Sequence, residues 1–320
     1  MAGNSLFGPM DPAPEAGYAD PPKRKGFFTD TSVCIGCKAC EVACKEWNEV
    51  PDDGFNLLGM SYDNTGALGA STWRHVAFIE QPKPLGGQDS GMRRSPVPLG
   101  MPSVGAPGDS TPDAPASPDG GPQDGPDFRW LMSSDVCKHC THAACLDVCP
   151  TGSLFRTEFG TVVVQDDICN GCGYCVPACP FGVIERRTAP EGTKNVGIAQ
   201  KCTLCYDRLG AGNTPACAQA CPTQSIQFGD VDELRERAQQ RVEALHAGGV
   251  TEARLYGEDP EDGIGGAGAM FLLLDEPEVY GLPPDPVVAT KDLRQMFNRA
   301  STAAGVLLAG AVVAFVGRRR

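Results

Sequence analysis

The chain is short of the features that mark most enzymes and nucleic-acid-binding proteins. Its 320 residues include three Trp and six Tyr, against 39 Gly and 28 Pro, so the sequence reads as loop-rich. Positive charge is in deficit: the net charge is −13, which removes the basic footprint expected of a nucleic-acid partner. Residues 1–33 have no apolar signal-peptide run and no twin arginine, and Pro12, Pro14, Pro21 and Pro22 interrupt them. Export would then depend on a folded partner that carries a signal. No substrate-site constellation is visible, so no residue is assigned a catalytic role.

No cysteine is left over either. All sixteen fall into four groups: Cys34/Cys37/Cys40/Cys44, Cys137/Cys140/Cys145/Cys149, Cys169/Cys172/Cys175/Cys179 and Cys202/Cys205/Cys217/Cys221. In each group two residues separate the first pair and three separate the last. Pro150, Pro180 and Pro222 follow three of the final cysteines. Two groups have the complete C-x2-C-x2-C-x3-C run by which bacterial ferredoxins hold 4Fe-4S clusters, the last cysteine of one group serving the other cluster. Four thiolates per cluster predict four clusters. Gly36, Gly171 and Gly173 let the backbone turn tightly and approach sulfur. Zinc also uses C-x2-C pairs but does not need the trailing x3-C-P. Disulfides suit small secreted chains rather than four repeated ligand groups in a chain of this length.

The sequence predicts a strand over Ser71–Glu80, with Trp73, Val76 and Phe78 packing. Nine prolines between Pro96 and Pro126 mark a segment that cannot fold alone. Leu154–Phe155 and Thr161–Gln165 suggest a hairpin between the second and third groups. Asp230–His246 reads as a helix capped by Asp230, with Leu234, Ala238, Val242 and Leu245 near one face. Met270–Leu274 reads as a buried strand and Gly263–Gly268 as a flexible turn. Ala300–Gly317 has eighteen residues without a charge, enough to cross a bilayer as one helix; Gly305 and Gly310 suit close packing on another membrane helix.

The fold expected is α+β: two dicluster ferredoxin-like domains, loop-rich, with a single C-terminal transmembrane helix. The second and third groups would form an inner domain (128–199) inserted into an outer one built from 26–80 and 200–229. Residues 1–25 would be an extension, 81–127 an insertion loop, 230–299 a covering region and 300–317 the membrane span.

Several segments resemble the iron–sulfur (beta) subunit of membrane-bound formate dehydrogenases: CIGCKACEVACKEWN (34–48), CKHCTHAACLDVCP (137–150), CNGCGYCVPACPFGV (169–183), CTLCYDRLGAGNTPACAQACPTQSI (202–226) and VYGLPPDP (279–286). The cysteine pattern is shared with electron-transfer subunits of dimethyl sulfoxide, nitrate, polysulfide and thiosulfate reductases. The resemblance implies partners: a molybdenum- or tungsten-pterin catalytic (alpha) subunit that oxidises formate, and a membrane cytochrome b (gamma) subunit leading to quinone. It also implies ligand sets. Cys34, Cys37, Cys40 and Cys221 would hold one cluster, and Cys44, Cys202, Cys205 and Cys217 a second. Cys137, Cys140, Cys145 and Cys179 would hold a third, and Cys149, Cys169, Cys172 and Cys175 a fourth. Under this resemblance the chain conducts electrons and is not itself an enzyme.

Lys45 and Lys138 are candidates for tuning cluster potential through charge, against a default of solvated lysines. His139 and His142 flank ligands and read as solvated or supporting residues, and Trp47 reads as packing. Arg318–Arg320 favour a cytoplasmic C-terminus, although Lys291, Arg294 and Arg299 put equal charge on the other flank. The resemblance places the globular part outside the cytoplasm, with the cytoplasmic face as the alternative.

Overall fold

The computed structural model describes residues 18, 20–54, 59, 62–81, 129–188 and 192–317. Most of the N-terminal extension, the proline-rich segment 96–126 and Arg318–Arg320 lie outside the described residues. In chain order the strands are β1 (Lys25–Asp30), β2 (Arg74–Gln81), β3 (Arg129–Val136), β4 (Leu154–Arg156), β5 (Val162–Val164), β6 (Glu185–Arg186), β7 (Ala199–Gln200), β8 (Ile226–Asp230), β9 (Arg254–Tyr256) and β10 (Ala269–Leu273). The helices are α1 (Ala39–Trp47), α2 (Ala144–Asp147), α3 (Cys175–Ala178), α4 (Tyr206–Gly210), α5 (Ala216–Gln219), α6 (Val231–Ala247) and α7 (Leu293–Gly317).

The main sheet has the order β8-β1-β10-β9. β1 runs parallel to β10, from Phe27↔Ala269 to Asp30↔Leu272, and antiparallel to β8, from Lys25↔Asp230 to Thr29↔Ile226. All five residues of β10 are buried. A continuous apolar run suits a strand covered on both faces, where alternation would leave one side wet. The expected strand Met270–Leu274 is therefore found one residue earlier. Its segment, expected as part of a cover, lies in the interior of the sheet. Phe27, Phe28, Phe271 and Leu272 are fully buried and make the centre of the core.

α6 covers this sheet. Leu234 and Ala238 are buried, and Val242 and Leu245 pack partly against them, as the helical spacing predicts. Asp230 stands at the N-cap position but makes no capping bond. Its carboxylate pairs instead with Lys25, its register partner across β1 and β8. Lys25 takes one of the oxygens that the cap would have used, and Lys23 pairs with the other at 3.5 Å.

β2 and β3 pair antiparallel over eight positions, from Arg74↔Val136 to Gln81↔Arg129. β2 starts later than expected because Gly69 and Thr72 close a turn just before it. Val76 is buried, while Trp73 and Phe78 pack at the core's edge. The hairpin between the second and third cysteine groups is present as β4–β5, Leu154↔Val164 to Arg156↔Val162. The turn at Gly263–Gly268 is a packed wedge and not a flexible loop. Ile264 and Ala267 are buried, the Asp262 carboxylate accepts from the Ile264 and Gly266 amides, and a Cβ on Gly263 would sit 2.0 Å from the Pro286 oxygen.

α7 begins seven residues before the span read from the sequence. Within it Gln295–Val316 has a mean hydropathy of 1.7 and none of it is buried on the rest of the protein. Val306, Leu307, Leu308, Val312, Val313, Phe315 and Val316 are all exposed.

Candidate iron–sulfur sites

Each cysteine group enters its loop in the same way. The second residue after the first cysteine has a left-handed backbone in all four: Gly36 (φ 66°), His139 (φ 44°), Gly171 (φ 71°) and Leu204 (φ 58°). Such a residue turns the backbone sharply and lets the flanking cysteines face one centre. Two of these loops also need glycine for space. A Cβ on Gly36 would lie 2.6 Å from the Phe78 ring, and one on Gly171 2.5 Å from the Gly197 carbonyl oxygen. His139 and Leu204 accept the left-handed cost, about 1–2 kcal/mol, and bury their side chains completely.

The cysteines gather across the sequence. Cys34 has Cys40, Cys221 and Cys37 as its cysteine neighbours. Cys44, on α1, has Cys202, Cys217 and Cys205. α1 packs against α5, which carries Cys217. Cys140 has Cys137, Cys145 and Cys179, and these four line one partly enclosed cavity of about 380 Å³. Cys175 has Cys169, Cys172 and Cys149, which line a second of about 260 Å³. Three further neighbour pairs link these quartets end to end: Cys40 with Cys217, Cys202 with Cys137, and Cys145 with Cys175.

Burial dominates the thiol chemistry. It pushes the Cys145 and Cys202 thiols up to about 12 and Cys175 up to about 11, and neighbouring cysteine charges add to the rise. Burial also holds Cys44 and Cys140 well above the ordinary thiol value. Cys149 goes the other way. Burial raises it, but hydrogen bonds from the Ser153 and Thr151 hydroxyls and the Leu154 and Thr151 amides outweigh that and bring it down to about 7.

Donors surround the sulfurs. The Ser134 hydroxyl lies 3.2 Å from Cys40 Sγ, the Ser153 hydroxyl 3.2 Å from Cys149 Sγ, and the Leu204 amide donates to Cys202 Sγ at 3.3 Å. Asn48 Nδ2 donates to the Cys44 carbonyl at 2.8 Å and approaches the sulfurs of Cys44 and Cys205 at 3.7 and 3.9 Å. In the sequence Asn48 is only the last letter of a motif, and nothing marks Ser134. Neither position announces itself, because each reaches sulfur only once the fold closes.

The candidate tuning residues differ from one another. Lys138 is buried, paired with Asp135, bonded to the Val136 carbonyl at 3.0 Å and placed over the rings of Phe271 and Phe181 at 4.8 and 5.2 Å. It lines the larger cavity and is not a solvated lysine. Lys45 pairs with Asp53 at 3.0 Å. His139 is buried rather than solvated: its Nδ1 accepts from the Val162 amide at 3.1 Å, and burial holds its pKa far below the usual imidazole range, so it is neutral. His142 is partly buried, and its ring packs against Gly265. Trp47 is half exposed, lies 4.1 Å from the Arg208 guanidinium and donates its indole N–H to Asp207 at 2.8 Å.

The residues present fit iron–sulfur clusters. No two of the sixteen cysteines are joined in a disulfide. Among the described residues no three or more Cys, His, Asp or Glu side chains converge on one metal-ion position. The Cys140 and Cys175 quartets each line a cavity, as ligands for the four corners of a cubane must.

Comparison with known proteins agrees. Residues 33–153 and 128–231 each match a 4Fe-4S dicluster domain. The nitrate-inducible formate dehydrogenase iron-sulfur subunit of Escherichia coli (strain K12) is 36% identical over 265 residues, 82% of this chain and 73% of that protein. The formate dehydrogenase iron-sulfur subunit of Haemophilus influenzae is 35% identical over 284 residues, 87% of this chain and 74% of the relative. The B subunit of the anaerobic dimethyl sulfoxide reductase of Escherichia coli (strain K12) is 32% identical over 213 residues, 66% of this chain and 76% of the relative. With two dicluster domains, sixteen grouped cysteines and these relatives, the protein belongs to the family of formate dehydrogenase iron–sulfur subunits, the electron-transfer subunits of oxidoreductase complexes.

Proposed function

We propose that this chain is the non-catalytic electron-transfer subunit of a respiratory formate dehydrogenase and holds four 4Fe-4S clusters. Cys34, Cys37, Cys40 and Cys221 form the first ligand set, and Cys44, Cys202, Cys205 and Cys217 the second. Cys137, Cys140, Cys145 and Cys179 form the third, and Cys149, Cys169, Cys172 and Cys175 the fourth. Bound clusters supply one-electron carriers. The protein's own residues fix the sulfurs and shield them. Asn48, Ser134 and Ser153 aim donors at sulfur, while Phe27, Leu131 and Phe271 keep water from the interior. The observation that supports this most is the arrangement of the cysteines as four neighbouring quartets in one row.

On this reading electrons pass along the row from the first set to the second, third and fourth, or in reverse. One end serves a molybdenum- or tungsten-pterin catalytic subunit and the other a membrane cytochrome b. The third and fourth sets belong to an inner domain inserted in the outer one. The pairing of β1 with β8, and the packing of α1 on α5, support that nesting. α7 crosses the membrane once, with the globular part outside the cytoplasm. The relatedness to the dimethyl sulfoxide reductase B subunit favours one other reading, the equivalent subunit of a dimethyl sulfoxide, polysulfide or nitrate reductase.

Anaerobic purification of the full chain with its partners tests the proposal. A co-purifying pterin subunit and formate-dependent dye reduction by the complex, absent from the isolated cluster-loaded subunit, are expected. Formate oxidation by the isolated subunit would refute the non-catalytic role, and a partner that reduces dimethyl sulfoxide would select the other reading.

A further inference from the structure

Arg74 opens β2, and its side chain is 1% exposed. Its guanidinium lies 4.8 Å from the Phe27 ring. Nη1 donates to the Ser134 hydroxyl at 3.0 Å and the Ser134 carbonyl at 3.3 Å, Nε and Nη2 are buried with no oxygen acceptor, and a hydrogen bond from the guanidinium to Cys217 works against the rise of that thiol. A buried cation held only by neutral groups is costly, so an anion is needed nearby. The groups that bear on it most are the sulfurs of Cys217, Cys40, Cys202 and Cys44, which carry negative charge once they ligate iron. Cys40 belongs to the first quartet and the other three to the second. The Ser134 hydroxyl completes a bridge, standing 3.2 Å from Cys40 Sγ while it accepts from Arg74.

We propose that Arg74 is a shared charge-compensating residue for the first and second ligand sets, one that sets the reduction potentials of both clusters together. The inference rests on the ligand sets proposed above. Each one-electron reduction adds a negative charge to a thiolate-ligated cluster, with no proton required. A fixed guanidinium in a medium of low dielectric stabilises that charge, so it favours the reduced form and raises the potential. Because one side chain faces both quartets, its removal lowers two potentials at once. Ser134 passes the effect to Cys40 alone.

The test is an electron paramagnetic resonance redox titration of the full chain, purified anaerobically with its clusters, beside an iron count. Arg74→Gln is expected to lower the reduced-to-oxidised ratio of both outer clusters at least tenfold at a fixed potential, which is 59 mV for a one-electron couple. The two inner clusters should stay in place. Arg74→Lys keeps the charge and should restore most of the shift. Ser134→Ala should move the Cys40 cluster and leave its neighbour. Unmoved outer potentials in an Arg74→Gln protein with full iron would overturn the inference, and so would equal shifts in Arg74→Gln and Arg74→Lys. If Arg74→Gln sheds its outer clusters, Ser134→Ala decides, and an unmoved Cys40 cluster overturns the proposal. A shortage of iron in the unmodified protein would instead overturn the ligand sets.

Discussion

Gly171 offers a sharp test of how the loops hold metal, because a second glycine serves as its control. Both Gly171 (φ 71°) and Gly152 (φ 68°) have left-handed backbones. A Cβ on Gly152 meets nothing within 4 Å, but one on Gly171 comes within 2.5 Å of the Gly197 oxygen. Alanine at Gly152 therefore incurs only the backbone term, about 1–2 kcal/mol. At Gly171 it adds overpacking against main chain, about 1–3 kcal/mol more. The difference corresponds to a factor of about 5–150 in the equilibrium between an intact and an opened loop, at 1.4 kcal/mol per tenfold. The assay is the rate of iron release to a chelator under anaerobic conditions, with the iron count and cluster spectra followed over time. Gly171→Ala should lose about four irons of about sixteen early, and Gly152→Ala should release iron more slowly than Gly171→Ala. If the two variants release iron at the same rate, the contact with Gly197 does not constrain the third loop and the reasoning fails.

Three further outcomes are expected. Cys149→Ser should disturb the cluster held by Cys169, Cys172 and Cys175 and spare the one held by Cys137, Cys140 and Cys145; paramagnetic spectra with the reverse pattern would reject crossed ligation. Cluster loading of the metal-free protein should weaken as pH falls. Burial raises the Cys145 and Cys202 thiols to about 12, so they are neutral near pH 7 and must release protons as they ligate; uptake without proton release would contradict this. Leu308→Arg should shift the protein from the membrane to the soluble fraction, since an arginine at the centre of a spanning helix costs about 3 kcal/mol. In intact spheroplasts protease should reach the cluster domain, and protection until lysis would place it on the cytoplasmic side.

The legible parts of this protein are those written in local spacing. The cysteine runs, the β4–β5 hairpin and the buried face of α6 depend on residues a few positions apart, and each is visible in the sequence. Partnerships over long separations are not. β1 has no local sign that it will pair with β10, about 240 residues away, nor that this pairing will carry a segment expected as a cover into the sheet. Asp230 has the right residue type for a cap, yet the same register that joins β1 to β8 delivers Lys25 to its carboxylate. Arg74 sits in a strand whose pattern points to Trp73, Val76 and Phe78. An arginine at a strand's start reads as a polar edge, and only the closed fold places thiols around it.

The unequal exposure of the cysteines has a consequence for damage by oxidants. Cys37 and Cys172 are exposed, and they belong to the first and last quartets of the row. All four cysteines of the second quartet are buried, and those of the third are buried or partly so. The glycine loops lie at the ends, while the loops anchored by Leu204 and His139 lie in the middle. On the proposed assignment the subunit behaves as an insulated cable with two bare tips. Dioxygen, like a legitimate redox partner, meets the terminal sulfurs first. Air inactivation should then proceed from the tips inward, and a docked partner at either tip should act as a plug against it.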